Sequence, residues 1–297
     1  MTVVDRLIAL TLPLVPKSVV RKVANRYIAG ESMDDAIRVA AALNTLGIRA
    51  TMDVLGEDVH RFEQAQAAAD EYTRLLEEIH RLQLDANVSI KLTQFGLKVD
   101  KRDCYELVDA LLRRAASLRN FVRIDMEDSS CTTDTLAIYR RLRRDHSNVG
   151  VVIQAYLRRT QRDVAALADL QPNYRLCKGV YVEPRNIAYR DMPIINLNYA
   201  AILERLLRNG SYVGIATHDE MMVWHAMQLI RDLNLPPTAY EFQMLLGVDE
   251  ELRDIVRHEG HNLRVYIPYG RDWYAYSVRR LRENPRLAGY VLKAMFK

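Results

Sequence analysis

Cysteine is scarce in this chain, with three in 297 residues: Cys104, Cys131 and Cys177. An odd count without close spacing argues against a disulfide framework or a cysteine zinc site and fits a reduced, cytoplasmic protein. Glycine is sparse too, and no two of its twelve residues stand one position apart. Without any GxG, neither the dinucleotide-binding fingerprint nor a Walker phosphate loop is present as a sequence signal. The histidines include HEGH at 258–261, which lacks the HExxH metal spacing, so no metal site is expected. No apolar run is long enough to span a bilayer. The segment LIALTLPLVP (7–16) is short, broken by Pro13 and Pro16, and has neither a basic start nor a small-residue cleavage site. It reads as an N-terminal helix packed on the domain, with a weak membrane-surface contact as the second reading. Long runs of one charge are missing as well. The densest patch, RRLRRD (140–145), has the spacing of a solvated helix face, and a net charge of +4 gives no footprint for nucleic acid.

What the chain has is alternation. Short runs rich in β-branched and aromatic residues lie at 48–56, 87–96, 121–127, 149–157, 174–182, 212–219, 240–245 and 263–270. Longer amphipathic runs at 58–82, 103–118, 132–145, 161–170, 195–209, 220–234, 249–260 and 272–282 have helical spacing. Asp100, Thr132 and Asp249 are placed as N-caps. Eight strands each followed by a helix predict an α/β fold, a (β/α)8 TIM-type barrel; an open doubly wound sheet is the runner-up. No linker divides the chain. It reads as one domain, with N-terminal helices over 1–47 and the barrel over 48–297.

In such barrels chemistry gathers at the C-terminal ends of the strands. Polar residues fall late in nearly every run: Asp53, Lys91, Asp125 and Glu127, Gln154, then Arg175, Lys178 and Tyr181, Thr217, His218 and Asp219, Glu241 and Gln243, and Tyr266. Inward charges are costly unless paired. Paired ions in a polar barrel layer account for two or three of these residues and are strained by seven or more near one end. Beyond the last strand, YAYSVRRLRE (274–283) sets Tyr276, Arg279, Arg280 and Glu283 three or four residues apart. Those spacings gather them on one helical face. The plain reading of that face is a solvated, salt-bridged surface. The other is a carboxylate clamp, since cations outnumber carboxylates in the set and arginine suits bidentate capture.

An ordered series of motifs carries a resemblance: ATMDVLGE (50–57), SIKL (89–92), VRIDMED (122–128), VVIQAY (151–156), RLCKGVY (175–181), IATHDE (215–220), YEFQMLLG (240–247), RVYIPYG (264–270) and YAYSVRRLRE. Together they resemble the proline dehydrogenase family in its short monofunctional bacterial form, over residues 30–285. The resemblance implies a distorted barrel holding non-covalent FAD and oxidising L-proline to Δ1-pyrroline-5-carboxylate. It also implies a membrane quinone as electron acceptor, reached by peripheral contact with the inner membrane. By the same resemblance, Arg279, Arg280 and Lys91 hold the proline carboxylate, Tyr266 and Tyr276 wall its ring, Asp125 orients the cations and Glu283 holds an arginine. Arg175 lies near flavin N5. Gln154, Met126, Lys178, Gly179, Val180, Thr217 and His218 contact the cofactor. Val180 departs from an alanine common in the family, and residues 1–30 carry no family motif. Two other classes stay open on the residues alone: a Schiff-base lysine barrel enzyme using Lys91 or Lys178, and a non-catalytic ligand-binding barrel.

Overall fold

The computed structural model describes residues 21, 24–274, 276 and 277. Among the described elements helix α1 (Met33–Thr45) comes first, and strands and helices then alternate; the segment 7–16 lies outside the described residues. The order is β1 (Arg49–Val54), α2 (Phe62–Arg81), β2 (Ala86–Ile90), α3 (Lys101–Ser117), β3 (Val122–Ile124), α4 (Ser129–Asp145), β4 (Val149–Gln154) and α5 (Thr160–Ala166). It continues with β5 (Asn173–Cys177), α6 (Met192–Arg208), β6 (Val213–Ala216), α7 (Glu220–Asp232), β7 (Tyr240–Leu245), α8 (Glu250–His258) and β8 (Leu263–Tyr269). All neighbouring strands pair in parallel, and β8 closes on β1 with Arg49 opposite Arg264. The expected (β/α)8 barrel is therefore the observed fold.

Alternation along each strand divides the protein into two environments. One set of residues, such as Met52, Val88, Ile90, Ile124, Val151, Leu176, Ile215, Phe242 and Val265, packs with the helices in a single hydrophobic core. The alternate set meets inside the barrel and is polar to a degree unusual for parallel strands. Two glycines make room there. A Cβ on Gly150 would stand 2.3 Å from Nη1 of Arg123, and one on Gly214 would stand 2.5 Å from Nε2 of Gln243.

The barrel is irregular at its seam. α1 packs against β8 and β1, on the outer face that a helix following β8 fills in a regular barrel. The segment just before α1 is tied to β8 through Ala29 N–Pro268 O (2.9 Å) and Gly270 N–Gly30 O (3.0 Å). With that position taken, the chain beyond β8 turns over the barrel mouth, where Tyr276 packs with Ala24, Ile28 and Leu55. The remainder of the expected helix 272–282, with Arg279 and Arg280, and the neighbouring Glu283 lie outside the described residues.

Two caps stand where the sequence puts them. Asp100 accepts from the amides of Arg102 and Asp103 at the start of α3, and Asp249 accepts from Leu252 N at the start of α8. The third does not. The N-cap of α4 is Asp128, which accepts from Ser130 N, and Thr132 lies buried in the first turn. The helix starts four residues early because aspartate is the better cap and β3 is only three residues long. The expected helix 161–170 also breaks: α5 ends at Ala166, and a 3₁₀ turn, Ala168–Leu170, completes it.

Candidate active site

The C-terminal ends of the strands open into a cavity of about 400 Å³. Lys91, Asp125, Met126, Gln154, Arg175, Lys178, Gly179, Val180, Thr217, His218, Tyr266 and Tyr276 all line it, joined by Tyr181, Asp219 and Gln243. Every described residue to which the resemblance gives a role thus borders one space, whereas Asp53, Glu127 and Glu241 from the strand-end set do not line it.

Two ion pairs form its floor. Lys91 Nζ donates to both oxygens of Asp53, at 2.7 and 2.8 Å, with the Asp53 side chain fully buried. Burial opposes the lysine's charge, but Asp53 and Asp125 more than offset this and hold its pKa above the ordinary range. Burial likewise raises the pKa of the Asp53 carboxyl, against the pull of Lys91. Beside this pair, Arg175 Nη1 donates to Asp125 Oδ1 at 2.7 Å and Nη2 donates to Ser89 Oγ at 3.0 Å. Its Nε donates to Gln243 Oε1. The other oxygen of Asp125 accepts from the Tyr266 hydroxyl at 2.8 Å. Burial and the nearby Asp125 and Asp53 push the Tyr266 phenol well above its ordinary value, so it stays a donor. The Arg175 guanidinium lies 5.3 Å from the Tyr266 ring centre.

The walls come from the strand-to-helix loops. Gln154 is buried, its Nε2 donates to Met126 O at 3.2 Å, and its Oε1 has no partner among the described residues. Gly179 sits at φ +107°, where a Cβ would meet the Tyr156 ring at 2.1 Å, so only glycine keeps this turn. Lys178 Nζ reaches Asp219 Oδ2 at 2.5 Å, and Asn196 donates to the same oxygen at 3.1 Å. Asp219 is also the N-cap of α7. Burial works against its charge, but these contacts keep its carboxyl below the usual range. Thr217 Oγ1 accepts from the Asp219 amide, and His218 Nε2 accepts from Leu245 N at 2.9 Å. A ring accepting there carries its neutral-form proton on Nδ1.

Asp53, Ser89, Gln243 and Asn196 have no assigned role in the sequence, yet they hold the charged groups in place. Position late in a strand marked Asp53 and Gln243. Nothing local marked Ser89 or Asn196, whose partners are 86 and 23 residues away.

Among the described residues no group of His, Cys, Asp and Glu could hold a metal. The arrangement is a largely apolar pocket that receives Lys91, Arg175 and Lys178 at the C-terminal end of a TIM-type barrel, the end where barrel enzymes carry their active sites. The family described as proline dehydrogenase matches residues 36–291. Proline dehydrogenase 1 of Bacillus subtilis subsp. natto is 37% identical over 274 residues, covering 92% of this chain and 91% of that protein. Proline dehydrogenase of Deinococcus radiodurans is 37% identical over 279 residues, covering 92% and 90%. The crystal structure of proline utilization A from Bdellovibrio bacteriovorus inactivated by N-propargylglycine superposes with a TM-score of 0.83 at 26% identity, covering 89% of this chain. This chain spans 33% of that longer one. The chain belongs to the proline dehydrogenase family.

Proposed function

We propose that the protein oxidises L-proline to Δ1-pyrroline-5-carboxylate with a non-covalently held FAD and passes the electrons to a membrane quinone. The observation that carries this reading is one cavity bordered by every described residue to which the family resemblance gives a role, in a chain of this family.

The residues fit an isoalloxazine cofactor. The Gln154 Oε1, buried without a partner among the described residues, suits a ring N–H. Gly179 holds the β5–α6 loop close, with Val180 and Lys178 beside it, where backbone and ammonium can meet a phosphate-bearing chain. Met126, Thr217 and His218 complete that side. When bound, FAD supplies the hydride acceptor.

The chain's own task is placement and charge. Arg279 and Arg280 clamp the proline carboxylate in this reading, and Glu283 holds one of them in its rotamer. Tyr266 and Tyr276 wall the pyrrolidine ring and exclude water, which strengthens the electrostatics inside. Arg175 presents a fixed positive charge where negative charge develops, an arrangement that costs no reorganisation during reaction. Asp125 orients that charge. Lys91, committed to Asp53, contributes its field and supports Tyr266, 3.4 Å away. The quinone is lipid-soluble. Among the described residues no helix is long and apolar enough to cross a membrane, so contact with the inner membrane is peripheral in this reading.

The Schiff-base alternative loses support at Lys91. A nucleophilic lysine needs a depressed pKa, whereas Asp53 and Asp125 raise this one. Lys178 is held by Asp219. The test is the visible spectrum of the purified protein, followed by borohydride with an aldehyde or ketone. Flavin absorption without a trapped lysine adduct is expected. A colourless protein that forms the adduct would overturn the assignment.

A further inference from the structure

Inside the barrel, below the residues given roles above, one hydrogen-bonded chain runs up to Arg175. Arg264 Nε donates to Glu241 Oε1 at 2.7 Å. The same oxygen accepts from Gln243 Nε2 at 2.6 Å, and Gln243 Oε1 accepts from Arg175 Nε. Gln243 is 5% exposed and Glu241 2%. An amide buried between a carboxylate and a guanidinium has one allowed orientation, because a flip would set donor against donor and acceptor against acceptor. Burial would raise the Glu241 pKa, but the Arg264 charge and hydrogen bond hold it at about 2, so the amide faces a permanent anion.

We infer that Gln243, oriented by Glu241, is a positioning residue that aims the Arg175 guanidinium into the cavity. The geometry separates its function from that of Asp125 and Ser89. Those two grip the Nη1 and Nη2 ends, and among the described residues Gln243 alone holds Nε. Three contacts on three nitrogens fix the plane of the guanidinium. Removing the one on Nε leaves it free to tilt about the other two. Gly214 supports the assignment from the neighbouring strand, because any side chain there would occupy the space of the Gln243 amide. The inference rests on the reading that Arg175 faces bound FAD.

The test uses full-length Gln243→Met and Gln243→Glu. Methionine keeps the volume and loses both amide contacts, whereas glutamate keeps an acceptor for Arg175 Nε. Four quantities are read: the melting temperature, the FAD dissociation constant, the midpoint potential of the bound flavin, and its rate of reduction by L-proline per bound flavin. Gln243→Met is expected to slow reduction about 10- to 100-fold, the range seen when an outer partner of a metal ligand is lost. The loss should fall in kcat with little change in KM, and the potential should become more negative as the positive charge loses its aim. Gln243→Glu sets a second carboxyl against Glu241, so it should recover part of the rate only at low pH, where its protonated form can donate to Glu241 and accept from Arg175 as the amide does. A Gln243→Met protein whose potential and rate per flavin match wild type overturns the inference, whatever its stability. Wild type that binds FAD but ignores L-proline overturns the proposed reaction alone, and the potential still decides for Gln243. Wild type that takes up no FAD overturns both.

Discussion

Asp53→Ala tests the buried charge balance most sharply. In the wild type the Lys91 ammonium has both oxygens of a fully buried carboxylate within 2.8 Å. After substitution the nearest carboxylate oxygen among the described residues is Asp125 Oδ2 at 3.9 Å, already accepting from Tyr266, while its partner oxygen holds Arg175. Breaking a buried pair by removing one member costs about 3–5 kcal/mol, because the other charge stays buried without compensation. In a domain of this size about 1 kcal/mol moves the melting temperature by roughly 2–4 °C, so a drop of about 10 °C is expected. Lys91→Met should cost less, since the Asp53 carboxyl, its pKa raised by burial, can take up a proton. The double variant Asp53→Ala/Lys91→Met removes both charges and should recover much of the loss. Thermal melts of the four proteins complete the cycle and isolate the coupling. An Asp53→Ala protein melting within about 2 °C of wild type, or a double variant as damaged as the sum of the singles, would refute the reasoning.

Glu127 carries a pH dependence of definite sign. Burial raises its carboxyl from 4.5 to about 7 despite the hydrogen bonds from Thr93. Between those values the folded state keeps a proton that the unfolded chain has released, so stability falls as pH rises through the window, by about 3 kcal/mol in all. Glu127→Gln can keep both Thr93 contacts and should flatten that slope in denaturation curves measured from pH 4 to 8. Gly179→Ala places a Cβ 2.1 Å from the Tyr156 ring at φ +107°. It should weaken FAD binding to the apoprotein in a fluorescence titration, and unchanged affinity would contradict the assigned role of the β5–α6 loop. Arg279→Ala and Arg280→Ala should each lower kcat/KM for L-proline about 10- to 150-fold, since a charge-assisted hydrogen bond is worth about 1.5–3 kcal/mol. Arg→Lys should rescue poorly because an ammonium cannot make the forked contact.

The barrel was legible because its outward strand residues follow the period of a parallel sheet and the intervening runs follow that of a helix. The cavity was legible because SIKL, RIDME and RLCKG interrupt apolar strands with charges that a core does not tolerate unpaired. Partnership was not legible. Asp53 meets Lys91 across 38 residues and Arg175 meets Gln243 across 68, distances that only barrel closure converts into contact. Thr132 was a plausible cap on local grounds, but the brevity of β3 moved the helix start to Asp128. The slot taken by α1 was hidden as well, because its amphipathic pattern does not say which strands it covers. That slot explains how Tyr276 reaches the mouth.

The central claim is that this cavity brings L-proline and FAD together. Anaerobic titration of the purified protein with L-proline, followed through the flavin absorption band, tests it directly. Stepwise bleaching by L-proline, with little or none by pyrrolidine lacking the carboxylate, is the predicted result. A protein that holds FAD and stays fully oxidised under saturating L-proline would contradict the account.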